Sequence, residues 1–485
     1  MNTTRKMMKK WILFINLIAF NCSIFANFRD TLPPSLKIDR TYDCIQFYDA
    51  DVAKRLVAHF DNVKNDKLVI LHFGDSHIQA ENATTYTRNE LQNDYGDGGR
   101  GMIVNYSAAK TYTSVNYTTD KTGEWTYAKS FQIPPKLPLG ITGMTVETTE
   151  DSTELHFAFK EPIPAAAHKI VVFFENNDRT SAFNLLIDKT LYTFTNQQLR
   201  ALNHNYVEVS YFGTINEISL HIASNGTGSA FFRFYGIDIE KTDNKGIVYH
   251  SLGVGAASMR SMLYLDKLPE QAKLLNPDVA VVDFGTNDIL YYNTVEANLP
   301  PTISQIIKTL RDVNPEMLII LTSTQDLFRH GRYITAGPKF RDLVASVARA
   351  EHAMFWNWYD LSGGLHSIRD WYNAGYAQPD CIHLTAKGYA AKGSFLYSSI
   401  KNTIELVKQN PTIQQHTVPM KDYADILKKH ADDFRPSTTY KVKPGDSLFA
   451  IALRYHTTVK AIMQANKLNS DFLRIGQILE IPKSK

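Results

Sequence analysis

Residues 67–80 read KLVILHFGDSHIQA, an apolar run that ends at Gly-Asp-Ser-His. A continuous apolar run of this length is typical of a strand buried on both faces of a parallel sheet. A helix-like segment follows it, so Ser76 is expected at the carboxyl end of the strand. Open α/β sheets place their functional sites at these strand ends. The stretch therefore predicts an α/β fold and makes Ser76 a candidate functional residue.

Three further apolar runs, at residues 278–284, 317–323 and 354–361, support the same sheet. Between them, residues 302–313 and 339–352 place apolar side chains three and four positions apart, as helices that cover a sheet do. Together these patterns predict a doubly wound parallel sheet.

The length of 485 residues predicts two to four domains. We expect an α/β domain at 27–105 and 246–400, interrupted at 106–245 by an inserted all-β module. The module alternates apolar and polar residues between turns, as in a sandwich or jelly roll. Residues 401–437 read as a linker, and 438–483 as a small unit with a strand-helix-helix-strand (βααβ) outline.

The first residues combine a basic stretch, MNTTRKMMKK, with an apolar one, WILFINLIAF. This pattern predicts a signal peptide cleaved near Ala26, because the apolar run is shorter than the roughly 20 residues that span a bilayer. The mature protein is then secreted, periplasmic or bound to the bacterial cell envelope. Cys22 leaves a lipoprotein open, although Asn21 before it fits that pattern poorly. After cleavage Cys44 and Cys381 remain, and one disulfide between them is possible.

The composition excludes few functions. Hydrophobic residues make up 44% and charged residues 21%, and the net charge is +3, so charge gives no reason to expect nucleic-acid binding. No Cys/His cluster has the spacing of a zinc site, and no metal or other cofactor is predicted.

A second Gly-Asp-Ser occurs at residues 445–447, in KPGDSLFAIA. No sheet-type strand precedes it, and an apolar-faced helix follows. Asp446 or Ser447 is expected to cap that helix, and so small a unit has no space for a catalytic α/β core. Ser76 is therefore the better candidate nucleophile.

Candidate partners of Ser76 follow other strands of the predicted sheet. Asn287 lies in GTND after the second strand, where its amide could donate to a developing oxyanion. Asp380 and His383 are three residues apart in DCIH, a spacing that lets a carboxylate orient an imidazole. Each motif alone is weak evidence, since turns, caps and surface contacts use the same residues.

In this order, GDSH, GTND and DCIH resemble the three blocks of the SGNH/GDSL hydrolase family. The resemblance implies that Ser76 is the nucleophile, that His383 is its base and that Asp380 orients His383. It also implies that Asn287 and the backbone N–H of Ser76 stabilise the oxyanion.

The remaining block of the family, which supplies a backbone donor from a glycine, corresponds here to SLGVGAAS at 251–258. An ungapped match places Ala256 where glycine is expected. Gly255 beside it is the predicted donor, while Gly253 and Ala256 stay open. Ala256 could still donate if its φ is negative.

The final unit, 438–483, resembles a LysM domain, which implies binding to peptidoglycan or another glycan that contains N-acetylglucosamine. The predicted β module is similar in position to a carbohydrate-binding-like insertion of some peptidoglycan O-acetylesterases. Trp125, Tyr211 and Phe232 could stack on sugars, but for each of them a place in the core is favoured.

These resemblances imply an exported serine esterase that removes acyl groups, chiefly O-acetyl, from cell-wall glycan. Because a histidine base must be neutral, activity is expected to rise through about pH 6.5, the reference histidine pKa. Three alternatives remain open. The substrate could be another acetylated polysaccharide or a lipid ester, the reaction could be acyl transfer, or the chain could be a non-catalytic peptidoglycan-binding protein.

Overall fold

The computed structural model describes residues 32–223, 230–431, 436–444, 446–455, 457–468 and 470–482. The predicted signal peptide and Cys22 lie outside these ranges. Within them, no helix combines the length and the apolar character needed to cross a bilayer.

The strands in chain order are β1 (Ile45–Gln46), β2 (Leu68–Gly74), β3 (Asp97–Gly99), β4 (Tyr117–Thr122), β5 (Thr126–Lys129), β6 (Met144–Thr148), β7 (Thr153–Phe174), β8 (Phe183–Ile187), β9 (Thr190–Phe194), β10 (Tyr206–Ile222), β11 (Phe232–Lys241), β12 (Ile247–Gly253), β13 (Val279–Asp283), β14 (Leu318–Thr322), β15 (Phe328–Arg329), β16 (Arg332–Tyr333), β17 (Met354–Trp356), β18 (Pro436–Lys441) and β19 (Ile478–Pro482).

The α-helices in chain order are α1 (Ala50–Asn62), α2 (Asn82–Tyr95), α3 (Asn196–Ala201), α4 (Leu268–Leu275), α5 (Thr286–Ile289), α6 (Leu299–Val313), α7 (Gly337–Ala350), α8 (Trp358–Leu361), α9 (Ser367–Asn373), α10 (Ala386–Gln409), α11 (Ala424–Ala431), α12 (Leu448–Arg454) and α13 (Val459–Ala465). Short 3₁₀ turns occur at Pro34–Leu36, Arg40–Tyr42, Gln79–Glu81 and Met259–Tyr264.

The predicted parallel sheet is present, with strand order β17-β14-β13-β2-β12. β2 pairs in parallel with β12 on one side and β13 on the other, and Gly74 lies opposite both Gly253 and Asp283. The three strands therefore end together. Their following loops meet at one edge, as expected at the carboxyl end of a parallel sheet.

Side chains of β2 alternate between two hydrophobic layers. Leu71 and Phe73 belong to one cluster, together with residues of α6 and α7. Leu68 and Ile70 belong to the other, together with residues of α1 and α10. A strand covered by helices on both faces explains the continuous apolar run, and it confirms the doubly wound layer.

The apolar run at 354–361 forms less strand than predicted. β17 ends at Trp356, and α8 begins two residues later. The Asn357 side chain accepts a hydrogen bond from the Asp360 N–H and so caps the new helix.

Residues 97–241 are rich in antiparallel strands, as the sequence predicts. β7 pairs with β10 and with β11, and β3 pairs with both β11 and β12, so these strands continue the same hydrogen-bonded sheet. At this junction Gly99 has a φ of 139°, and a Cβ there would lie 2.5 Å from Glu240 Cα. Only glycine permits so close an approach with that backbone conformation. A separate carbohydrate-binding-like sandwich stays a prediction.

The three aromatic residues considered for sugar stacking lie in this region. Trp125 and Phe232 are buried, at 3% and 0% exposure, which confirms the preference for core positions. Tyr211 is partly exposed, and its hydroxyl donates to the Thr214 carbonyl at 3.1 Å.

The segment predicted as a linker packs on the α/β domain over much of its length. α10 extends to Gln409, and Thr403 Oγ1 accepts a hydrogen bond from the Ile45 N–H at 2.8 Å. The Tyr423 hydroxyl donates to Asp360 at 2.8 Å. Residues 401–431 therefore belong structurally to the α/β domain, because their apolar faces complete its second hydrophobic layer.

The C-terminal unit has the predicted βααβ outline. β18 pairs antiparallel with β19, and α12 and α13 lie between them in sequence. Ser447 Oγ accepts from the Ala450 N–H at 3.1 Å, so Ser447 is the helix cap.

Both cysteines are buried free thiols. Cys44 Sγ lies 3.1 Å from His416 Nε2, whereas Cys381 lies in the loop that carries Asp380 and His383. The disulfide left open by the sequence is absent from this structure.

Candidate active site

Ser76, His383 and Asp380 form one hydrogen-bonded line. Ser76 Oγ lies 2.9 Å from His383 Nε2, and His383 Nδ1 lies 2.7 Å from Asp380 Oδ2. With the Nδ1 proton donated to the carboxylate, Nε2 is left to accept the serine proton. This geometry suits a serine activated by a neutral imidazole.

The Asp380 carboxylate also holds its own loop. Its Oδ1 accepts from the N–H groups of Ile382 and His383, at 2.9 and 3.0 Å. Burial raises the pKa of Asp380, but the hydrogen bonds from the His383 side chain and from these N–H groups outweigh it and lower the pKa. The carboxylate therefore stays ionised and keeps the imidazole in place.

The turn after β2 gives Ser76 its exposed position. A Cβ on Gly74 would collide with the Ile78 side chain, so the chain turns tightly there. Ala80 and Glu81 have left-handed φ values of 65° and 64°, which are costly for such residues. A stabilising contact must therefore hold the turn.

Glu81 supplies that contact. Its buried carboxylate lies 2.6 Å from Arg100 Nη2 and accepts from the Asn116 amide at 2.6 Å. Burial raises the pKa of Glu81, but the charges of Arg100 and Arg88 outweigh it and lower the pKa. This buried cluster joins the turn that carries Ser76 to the β-rich segment. The sequence motifs did not predict this connection.

Asn287 lies at the start of α5, at the end of β13. Its Nδ2 donates to the Ala257 carbonyl at 2.9 Å, which fixes the amide and leaves its second hydrogen for another acceptor. The neighbouring Asp288 accepts from the Met259 N–H at 3.1 Å. The loops that follow β12 and β13 are thus tied together beside Ser76.

In this structure the N–H of Gly255, the predicted oxyanion donor, has another acceptor. Its N–H donates to Gln79 Oε1, and Gln79 Nε2 donates to Thr111 Oγ1 at 2.9 Å. Ala256 has a φ of 66°, so the negative φ on which its role as a donor depended is not observed, and it is exposed at the cleft. Gly253 packs beneath the turn, where a Cβ would collide with Gln79. Of the three alternatives, Gly255 and Ala256 line the cleft, and Ala256 is the exposed one.

His77 lies directly behind His383, with ring centroids 5.4 Å apart. Burial, with the charges of Lys392 and His383, holds the pKa of His77 well below its ordinary value, so the ring is neutral. Gln325 and Tyr389 contact its two nitrogens at 2.9 and 3.2 Å. The motif GDSH contains this histidine, but only its distant partners reveal that it packs against His383.

An open cleft of about 820 Å³ surrounds these groups. Ser76, Asn287 and His383 line it, and so do Tyr112, Tyr291 and Arg329. Tyr112 and Tyr291 are each 49% exposed, which leaves flat aromatic surface beside the serine. The cleft can therefore admit a bulky substrate.

One buried trio has the composition of a metal site, at the junction of the β-rich segment and the parallel sheet. Asp238, Glu240 and His250 bring potential ligand atoms within 4.8 Å of one another. The ammonium groups of Lys67 and Lys169 lie 2.6 and 3.2 Å from Glu240. This compensation of charge opposes the binding of a divalent cation, so the trio fits a metal poorly.

Comparison with known proteins agrees with this geometry. Residues 236–391 match the GDSL-like lipase/acylhydrolase family, and residues 440–482 match the LysM domain. A solved structure of a peptidoglycan O-acetylesterase shares the fold with a TM-score of 0.62 at 19% identity, over 75% of this chain and 99% of that chain.

Two curated proteins resemble a short part of the chain. The probable peptidoglycan endopeptidase LytE of Bacillus subtilis is 48% identical over 46 residues, which is 10% of this chain and 14% of LytE. The N-acetylmuramoyl-L-alanine amidase sle1 of Staphylococcus epidermidis is 52% identical over 46 residues, with the same two coverages. The chain thus spans only a small part of these relatives. The family matches show that this chain contains a domain that matches the GDSL-like lipase/acylhydrolase family and a C-terminal LysM domain.

Proposed function

We propose that this protein is an exported serine esterase that removes O-acetyl groups from peptidoglycan. The observation that carries the proposal is the line from Ser76 through His383 to Asp380 at the wall of an open cleft. A nucleophile, a base and a group that orients the base are the parts that acyl transfer to serine requires.

In the proposed reaction, Ser76 Oγ attacks the acetyl carbonyl while His383 Nε2 takes the serine proton. The oxyanion receives hydrogen bonds from the N–H group of Ser76 and from the Asn287 amide. The bond between the carbonyl carbon and the sugar oxygen then breaks, and His383 returns the proton to that oxygen. Water attacks the acetyl-serine by the same route, which releases acetate and regenerates Ser76.

The LysM domain and the structural neighbour support peptidoglycan as the substrate. LysM implies contact with a polymer of N-acetylglucosamine, and the neighbour that shares the fold acts on peptidoglycan O-acetyl groups by its name. The predicted signal peptide would bring the enzyme to that polymer. Tethering by LysM raises the local substrate concentration without changing the chemistry.

The β-rich segment contributes directly to the cleft. Thr111 and Tyr112 line the cleft, and the Tyr112 hydroxyl lies 3.5 Å from the Ser76 carbonyl oxygen. We therefore include this segment in the proposed binding site for the glycan, beside Ser76.

The test is acetate release from O-acetylated peptidoglycan by the full mature chain. Base-saponified peptidoglycan and the variant Ser76→Ala should release none. Acetylated xylan and a long-chain aryl ester test the alternative substrates. Hydrolysis of an aryl acetate without acetate release from peptidoglycan would support the esterase activity but contradict peptidoglycan as its substrate. Wild-type protein that bound peptidoglycan but hydrolysed no ester would reject the enzyme altogether.

A further inference from the structure

Arg329 stands at the mouth of the cleft, where two hollows meet. The cleft of about 820 Å³ holds Ser76, and a neighbouring hollow of about 260 Å³ extends away from it. Both are lined by Tyr291 and Arg329. The Arg329 guanidinium lies 4.5 Å from the centre of the Tyr291 ring and makes a cation–π contact with it.

The hairpin of β15 and β16 fixes Arg329 relative to the catalytic groups. The Phe328 N–H donates to the Cys381 carbonyl at 3.1 Å, so the hairpin is bonded to the loop of Asp380 and His383. Tyr291 lies two residues beyond α5, the helix that carries Asn287. Arg329 is therefore placed between the two loops that act on the ester.

Arg329 differs from other arginines of the fold in its charge environment. Arg341 pairs with Asp360 at 2.8 Å and Arg233 with Glu147 at 2.6 Å. Among the residues that the structure describes, no carboxylate forms an ion pair with Arg329. Asp380, the carboxylate that lines the cleft, is already engaged by His383. Within the described part of the chain, the Arg329 cation thus has an aromatic support but no counter-ion.

Further positive charge lines the neighbouring hollow. Lys460 of α13 in the LysM domain lies on its wall. A substrate that reached from the cleft into this hollow would meet positive charge along its path. This arrangement suits an anionic chain better than a neutral one.

We propose that Arg329 binds a carboxylate of the substrate and so selects acyl esters on an anionic glycan. This inference rests on the proposed function and names the feature of peptidoglycan that Arg329 would recognise. The stem peptides of peptidoglycan carry carboxylates, whereas cellulose acetate carries none. A planar guanidinium matches a carboxylate with two parallel hydrogen bonds, which a lysine cannot reproduce.

The test compares Arg329→Gln and Arg329→Lys with the wild-type chain on a matched pair of substrates. One is a set of O-acetylated muropeptides, and the other is the same set with its carboxyl groups converted to methylamides. We expect Arg329→Gln to lower kcat/KM on the carboxylate form by about 10- to 100-fold, the effect of losing a charged hydrogen bond. The methylamide form and 4-nitrophenyl acetate should be unaffected, and Arg329→Lys should fall between.

The control is Arg200→Gln, an exposed arginine on α3 that lines neither hollow. It makes the same change of charge and should alter no rate. An equal loss on both muropeptide forms would show that Arg329 only supports the cleft, and no loss on either would show that it contacts no carboxylate. Either result overturns the inference.

A second pair of probes separates this inference from the proposed substrate. If the wild-type chain hydrolyses aryl acetates but not muropeptides, the rates on 4-acetoxybenzoate and on its methyl ester are compared. A preference for the charged ester that Arg329→Gln removes would support the carboxylate site even then. A ratio that the variant leaves unchanged would overturn it.

Discussion

The two Gly-Asp-Ser tripeptides of this chain have opposite surroundings. Ser76 follows a buried strand, and its hydroxyl lies 2.9 Å from His383. Ser447 precedes a helix, and its hydroxyl accepts from the Ala450 N–H. Asp75 is buried, whereas Asp446 accepts from the Tyr440 hydroxyl at 2.7 Å near the surface. The tripeptide alone therefore does not identify a catalytic serine, and the elements around it decide between a site residue and a helix cap.

The largest expected difference between the tripeptides is in turnover. Ser76→Ala should lower kcat on an aryl acetate by at least about 10⁴-fold, because it removes the group that attacks the ester. Ser447→Ala should leave kcat within about twofold, since a cap contributes only to local stability. Hydrolysis rates of the two purified variants measure this. Similar losses of kcat in both variants would contradict the difference in role between Ser76 and Ser447.

The next largest effect on kcat is expected at Asn287, which lies beside Ser76. Asn287→Ala should lower kcat by about 10² to 10³-fold, the usual effect of removing one oxyanion donor. Asn466→Ala in the LysM domain is the matched control, since that amide also donates to a backbone carbonyl, of Glu480 at 2.7 Å. It should leave kcat unchanged. A fall in thermal stability of Asn287→Ala without a fall in kcat would make Asn287 purely structural.

The two aspartates should respond to pH in opposite directions. Burial raises the pKa of Asp75 to about 6, so its contribution to folding is present below about pH 4 and is lost as pH rises through 6. Hydrogen bonds from the Lys443 N–H and the Tyr440 hydroxyl lower the pKa of Asp446. The stability that Asp446 contributes is therefore present above about pH 4 and lost as pH falls.

Chemical unfolding from about pH 2 to about pH 7 tests this contrast. The free energy of unfolding of Asp75→Asn should rise relative to wild type by on the order of 2 kcal/mol from pH 4 to pH 6. Asp446→Asn should instead have a lower free energy of unfolding than wild type above about pH 4, and this difference should disappear as the pH falls below about 4. Parallel profiles for wild type and Asp75→Asn would contradict the burial argument.

The smallest effect is that of the cap itself. Ser447→Ala should destabilise the LysM helix by about 1 kcal/mol, since the N–H of Ala450 loses its acceptor. Hydrogen exchange of the α12 amides in the full chain would report this locally. Ser447→Asp should restore protection because aspartate caps equally well, and equal exchange in wild type and both variants would contradict the cap.

Local sequence patterns predicted most of the fold and the central line of the site. Ser76, Asn287 and His383 could be placed because each belongs to a short motif near the end of a strand or in a compact loop. Those features depend on neighbours in sequence. The structure brings them to one cleft, as the strand-end argument requires.

Other features could not be predicted because they depend on contacts between distant segments. The Gly255 N–H is taken by Gln79, whose own amide is held by Thr111 from the β-rich segment. Glu81 is ion-paired with Arg100 in a similar way. The sequence of residues 401–431 is mostly polar, which is typical of a linker. Only the hydrogen bonds to partners on the α/β domain show that this segment packs on that domain.

The pairing of β2 has a consequence for the time order of folding. Both of its neighbours, β12 and β13, come after the whole β-rich segment in the chain. Loops that must close over many residues slow folding, whereas β8 and β9 are joined by a short turn. During refolding, the antiparallel strands should therefore form before the parallel layer. Esterase activity should be among the last properties to return, and a chain stopped before β12 would hold its nucleophile strand without partners.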